Sequence, residues 1–257
     1  MSEQTLRPRT TSELLDATFS LYRRHAPAYI MVTAIAVVPT LLFQLLLLGG
    51  SASLGQTLAA FIIFPISMVS YALMNGVVIR MGSDVYLGGE ADVAEAVRSV
   101  LPKVPSLIGT AILKTLALML YFLLLFFPMF IAFAKYFGPE AAVVLEGRGA
   151  AAAMSRSAEL ADGRKWHILG ALLLMYGIYI IVGFALGIVG AVAGALGSEM
   201  GGQVVLLFVQ TLITIVSYPI VGLMTMLLYY DCRIRKEGFD VEHLARTLGD
   251  AVPAPAR

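Results

Sequence analysis

Two lysines stand where lysine is costly. Lys114 and Lys135 fall inside one apolar run, Val104 to Leu145. An ionised side chain at bilayer depth costs about 2.5–3.5 kcal/mol or more unless it is paired or wet. The nearest carboxylates, Glu140 and Glu146, lie toward the end of the same run. Three chemistries fit this pattern. The ammonium groups can snorkel to an interface, Glu140 can pair with one of them, or the two can bind an anionic group. Lys114 sits ten residues into the run, roughly 15 Å deep at ~1.5 Å per residue. Lys135 follows Pro128 by seven residues on a returning leg. An antiparallel hairpin brings both cations together, and a lipid phosphate or anionic solute would then neutralise them. The candidate anion or lipid contact is therefore Lys114, Lys135 and Glu140.

The other reactive side chains lack partners at useful spacing. His25, His167 and His243 fall at run boundaries or in the tail, and no His-Glu-x-x-His or Cys-x-x-Cys occurs. The single cysteine, Cys232, excludes a disulfide framework within the chain. No Gly-x-Ser-x-Gly and no Walker-type loop is present. Neither a metal nor a cofactor is expected, and catalysis is not expected either.

Basic residues gather beside the apolar runs. Arg156, Arg164 and Lys165 precede one run, and Arg233, Arg235 and Lys236 follow the last. Such cations act as stop signals at the cytoplasmic surface. A stop signal does not demand the interleaved Asp231, Glu237 and Asp240, so these six cations are candidates for docking to lipid head groups or to a partner. Gly183, Gly187, Gly190 and Gly194 share one helix face and contain two Gly-x-x-x-Gly pairs. That stripe suits close helix packing, either within the chain or across a homodimer seam.

The elements that must hold these residues follow from composition. The chain has 257 residues, 59% of them hydrophobic and 14% charged. A soluble domain is about 45–50% apolar and about 25% charged, so this chain cannot cover itself with polar groups. Its net charge of +1 gives no field that calls for nucleic acid. Apolar runs cover Ala26–Leu48, Thr57–Ile79, Val104–Leu145, Trp166–Leu196 and Gln203–Tyr230. Each is long enough to cross a bilayer, and the third could cross twice. The distribution of Lys and Arg decides between five crossings and six. With six, every basic segment lies on one side and the loops at 49–56 and 197–202 carry none. With five, the basic segments divide almost evenly. The expected fold is all-α: a polytopic membrane protein of about six segments, the third and fourth forming a broken hairpin, with both termini cytoplasmic. The turn falls near Phe127-Pro128 and a break at Gly138-Pro139, so the returning leg can be a crossing or a re-entrant segment.

Amphipathic stretches precede the hairpins. Ser12–Arg24, Asp92–Leu101 and Gly149–Ala161 each carry apolar residues at helical spacing, and Asp240–Leu248 follows the last run. They read as helices lying in the interface, with Arg156 facing head groups. The whole chain forms one membrane domain: an arm over 1–25, the membrane region 26–230 and a cytoplasmic tail 231–257.

Four blocks carry a resemblance. They are Leu6-Arg7-Pro8 with Glu13-Leu14-Leu15-Asp16 and Leu21-Tyr22-Arg23-Arg24-His25; Val143-Val144-Leu145-Glu146-Gly147 with Met154-Ser155-Arg156-Ser157; Leu160 with Gly163-Arg164-Lys165-Trp166; and Leu228 through Asp240. Together they resemble a family of bacterial multi-pass membrane proteins related to the membrane domain of glycerophosphoryl diester phosphodiesterases. The resemblance implies a six-helix protein of the cell membrane with no assigned reaction. The family pattern often has Leu where Cys232 stands, which implies a small apolar filler there. No soluble stretch is long enough to hold a phosphodiesterase barrel, so hydrolysis does not transfer.

Three function classes follow, the last an enzyme, which would need a carboxylate–histidine or metal constellation that the sequence does not offer. The first is a non-enzymatic accessory or scaffold protein that contacts membrane lipids or another membrane or cytoplasmic protein. The second is a transporter or lipid-handling protein with its site near Lys114 and Lys135.

Overall fold

The computed structural model describes residues 7–48, 53–124, 126–196 and 199–241. Among these the regular structure is helical throughout, with no strand. The order is α1 (Thr11–Arg24), α2 (Ala26–Leu46), α3 (Leu54–Tyr86), α4 (Val93–Val100), a 3-10 turn (Leu101–Lys103), α5 (Val104–Leu124), α6 (Phe126–Lys135), α7 (Pro139–Glu146), α8 (Ala150–Ala161), α9 (Lys165–Leu196) and α10 (Glu199–Glu237). Six segments are long and apolar enough to span a membrane: Ala26–Leu46, Leu54–Tyr86, Val93–Leu123, Pro128–Glu146, Lys165–Val192 and Met200–Glu237. The expected all-α polytopic fold is the observed one.

Local sequence explains the helix starts. Thr10 caps α1 through a reciprocal box with Glu13, whose carboxylate accepts from the Thr10 backbone at 2.8 Å. That backbone hydrogen bond, with the one from Arg7, lowers the Glu13 pKa to about 2. Ser53 and Gln56 form the same box at α3. Asp92 caps α4 by accepting from Ala94 and Glu95. Gly147 ends α7 at φ 67°, a left-handed turn that glycine enters without a Cβ clash.

The apolar runs underestimate two helices. The second was expected to stop at Ile79 and the last at Tyr230. Instead α3 continues to Tyr86 and α10 to Glu237. A hydropathy run stops at the first charge, but a helix need not. Arg80 and Asp84 pair one turn apart at 3.0 Å, and Arg235 does the same with Asp231. At ~1.5 Å per residue both helices exceed a hydrocarbon core of ~30 Å. Their extensions join α1, α4, α7 and α8 in a buried core that includes Leu14, Tyr29, Val77, Val144, Leu160 and Tyr229. Elsewhere the outer helix faces expose large apolar side chains, among them Phe61, Leu123 and Phe184, as lipid-facing surfaces do.

The third run folds back on itself. α5 and α6 pack together, and the returning leg breaks over residues 136–138 before α7. Half of the Pro128–Glu146 segment is buried inside the protein, far more than in the other five. A broken backbone at this depth is tolerated because protein surrounds it. Ser157, fully buried on α8, closes the break: its hydroxyl accepts from Gly138 N at 3.2 Å and donates to Lys135 O at 3.1 Å.

The amphipathic helices appear where expected, but α8 faces differently. Its buried side, which includes Met154, Arg156, Ser157 and Leu160, packs against protein: α5, α7 and the end of α10. Arg156 is 7% exposed, so it does not face head groups. The reason is the pair of carboxylates described below. The expected terminal helix, Asp240–Leu248, lies outside the described residues except at Asp240 and Val241.

Candidate functional site

α5 carries Lys114 toward the bundle axis, and the break before α7 places Glu140 opposite it. The Lys114 ammonium donates to both Glu140 oxygens, at 2.9 and 3.3 Å. Of the three chemistries open to Lys114, pairing with Glu140 is the one observed. Lys135 does not join them. Its ammonium lies over the Tyr136 ring, 5.2 Å from the centroid, as a cation over a π face. The two lysines therefore do not form a shared anion site, because Glu140 has already neutralised one and the other turns to an aromatic ring.

The ion pair lies beside cavities that share lining residues. One of about 140 Å³ is lined by Lys114, Glu140, Asn75, Tyr136, Tyr176 and Tyr218, with apolar neighbours. A groove of about 460 Å³ shares Asn75, Glu140 and Tyr218 with it. The groove wall is apolar, with Phe43, Phe64, Met68, Leu107 and Ile108. A third cavity of about 300 Å³ shares Thr40, Gln44 and Tyr71 with the groove and adds Gln210 and Thr214.

Neither the charged residues nor the glycine stripe points to this polar lining. Its signal was present as i, i+4 spacing within apolar runs. α2 offers Thr40 and Gln44, α3 offers Tyr71 and Asn75, and α10 offers Gln210, Thr214, Tyr218, Gly222 and Thr225. All of these line the cavities.

A second polar cluster binds the helix ends. Glu146 ends α7 with its side chain 13% exposed. It accepts from Tyr229 Oη at 2.6 Å, from Arg148 Nε at 2.7 Å and from Arg156 Nε at 3.0 Å. Arg156 also donates to Glu237, Nη2 to Oε2, at 2.8 Å. Burial disfavours its charge, but the hydrogen bonds to Glu237 and Glu146 outweigh that and hold its pKa above the usual arginine value. Arg233 lies 3.2 Å from Glu237 and stacks over Phe239 at 4.2 Å. Arg235 grips buried Asp231 with Nε at 2.9 and 3.0 Å and donates to Arg9 O at 2.6 Å. Lys236 donates to Glu159 O at 2.6 Å. Lys165 pairs with Asp162 at 3.2 Å on the surface, while the Arg164 Nε is buried with no hydrogen-bond partner among the described residues.

Within the chain, the described glycines of the α9 stripe differ in their surroundings. A Cβ on Gly190 would meet Leu206 of α10 at 2.6 Å, so that glycine permits close approach. Gly183 borders the third cavity with open space around it, and Gly187 is open as well. The surroundings of Gly194 lie outside the described side chains.

No family model, curated protein or solved structure matches this chain.

Proposed function

We propose that the chain is a lipid-handling protein of the bacterial cell membrane, with both termini cytoplasmic, that binds a phospholipid without transforming it. The observation that carries this reading is the apolar groove that reaches Glu140, the partner of Lys114. An acyl chain matches the wall, and a polar head matches the floor of Asn75, Glu140 and Tyr218. The pair offers one cation and one anion. The matching head group therefore carries both charges, as a zwitterionic phospholipid does. Burial among helices strengthens each contact relative to water.

The docking element of the accessory reading is narrower than the sequence suggests, since Arg156, Arg233, Arg235 and Lys236 engage Glu146, Glu237, Asp231 and backbone carbonyls of this chain, which leaves Arg164 and Lys165 as its candidates. The kinship with the phosphodiesterase membrane domain is part of this proposal and rests on the four sequence blocks.

The test is the phospholipid that co-purifies in mild detergent, quantified by mass spectrometry. Lys114→Gln and Glu140→Gln should each reduce bound phosphatidylethanolamine several-fold, and their effects should not add. Lys135→Gln, outside the cavities, should keep it. Unchanged lipid in both cavity variants, with the fold intact, rejects the reading and restores the accessory class.

A further inference from the structure

The third cavity contains polar groups that the fold leaves unused. Gln44 and Gln210 line its rim, both are exposed, and neither side-chain amide makes a hydrogen bond to any described residue. Thr211 and Thr214 return their hydroxyl protons to Leu207 O and Gln210 O, leaving only oxygen lone pairs toward the space. Asn75, between this cavity and the ion pair, also has a side-chain amide without a partner among the described residues. An amide carries two donors and an acceptor. Wherever lipid rather than water surrounds them, leaving these unmade is costly, so water or a ligand must meet them.

The positions of these groups give them a direction. Gln44 lies two residues from the end of α2 nearest the Ser53 loop, whereas Lys114 sits at the middle of α5 and Glu140 at the start of α7. On α10, Gln210, Thr214, Tyr218 and Thr225 extend over roughly 22 Å at ~1.5 Å per residue. That length covers most of a hydrocarbon core of ~30 Å. The apolar groove meets this stripe at Tyr218 and shares lining residues with both cavities.

We infer that the amide-lined cavity is a second head-group station, and that the protein moves phospholipid between the two leaflets. The head group passes from the ion pair to Asn75 and on to Gln44 and Gln210, while the acyl chains stay in the groove and the surrounding lipid. The first station recognises charge and the second solvates it with neutral dipoles, which lets the lipid leave. No bond is made or broken. This inference rests on the lipid-binding reading.

The test uses the full chain reconstituted into phosphatidylcholine vesicles that contain a fluorescent phosphatidylethanolamine in both leaflets. Dithionite bleaches only the outer leaflet. Wild-type protein should carry bleaching well past the half reached in protein-free vesicles. Gln44→Met with Gln210→Met removes both amides at similar length. It should return bleaching to about half while keeping the co-purified phosphatidylethanolamine. Gln210→Met alone, a milder change, should slow the second phase several-fold. Wild-type bleaching no greater than in protein-free vesicles overturns the inference, and so does undiminished bleaching by a correctly folded double variant. If lipid still co-purifies in either case, binding stands and only transbilayer movement fails.

Discussion

Arg156 donates to carboxylates on two different helices, Glu146 at the end of α7 and Glu237 at the end of α10. Glu146 also receives Tyr229 from the interior of α10, so one part-buried carboxylate joins α7, α8 and α10. Breaking a buried pair by removing one partner costs about 3–5 kcal/mol. Arg148 and Arg233 remain near the orphaned carboxylates, which places Arg156→Met toward the lower end of that range. Arg156→Lys keeps the charge but loses the planar fork, and should recover only part of the loss. Lys165→Met serves as the contrast, since its pair with Asp162 is exposed and such pairs contribute about 0–1 kcal/mol. Thermal midpoints in detergent should therefore rank wild type close to Lys165→Met, then Arg156→Lys, then Arg156→Met. An Arg156→Met midpoint equal to wild type would mean that the buried network is not holding these helix ends. Sequence alone showed both residues as basic positions beside a span. Only the partners distinguish them, and Glu237 lies 81 positions away.

The element that sets the candidate site is the broken return leg. An unbroken helix from α6 through α7 would hold residues 136–138 in register; the break instead swings Glu140 to Lys114. The sequence announced the break at Gly138-Pro139, because proline disfavours helix in the residue before it. It also showed the return of the chain, through the one-sided distribution of Lys and Arg. It could not show what compensates the freed backbone, because that group comes from α8. Ser157→Ala removes the hydrogen bonds to both Gly138 N and Lys135 O, at a cost of about 1–3 kcal/mol for polar groups left unmet. The loss should be local. Amide exchange at Gly138 should accelerate, and bound phosphatidylethanolamine should fall as Glu140 loosens. Ser157→Ala with wild-type exchange at Gly138 would remove the hydroxyl from this role.

At the scale of the whole molecule, α3 and α10 are longer than a ~30 Å hydrocarbon core requires and pack against the short helices. Hydropathy and charge made the number of spans and the common side of the basic segments legible, since both are one-dimensional properties of the chain. The cavities depend on three helices facing one another, and no single run contains that information. The sidedness itself can be tested by cysteine labelling on intact cells. Native Cys232 is fully buried, so it contributes no background. Ser53, at the start of α3, and Glu199, at the start of α10, should label from outside when replaced by cysteine. Ser157 is unsuitable as an inner reporter because it is buried whichever way the chain faces. Glu90 and Ser155 are exposed at the basic end and should label only after the membrane is permeabilised. The basic segments explain this outcome: translocating Arg148, Arg164 and Lys165 with their loop opposes the rule that keeps cations inside. External labelling at Ser155 together with Ser53 would place both ends of the bundle outside, and the charge argument for six crossings would fail.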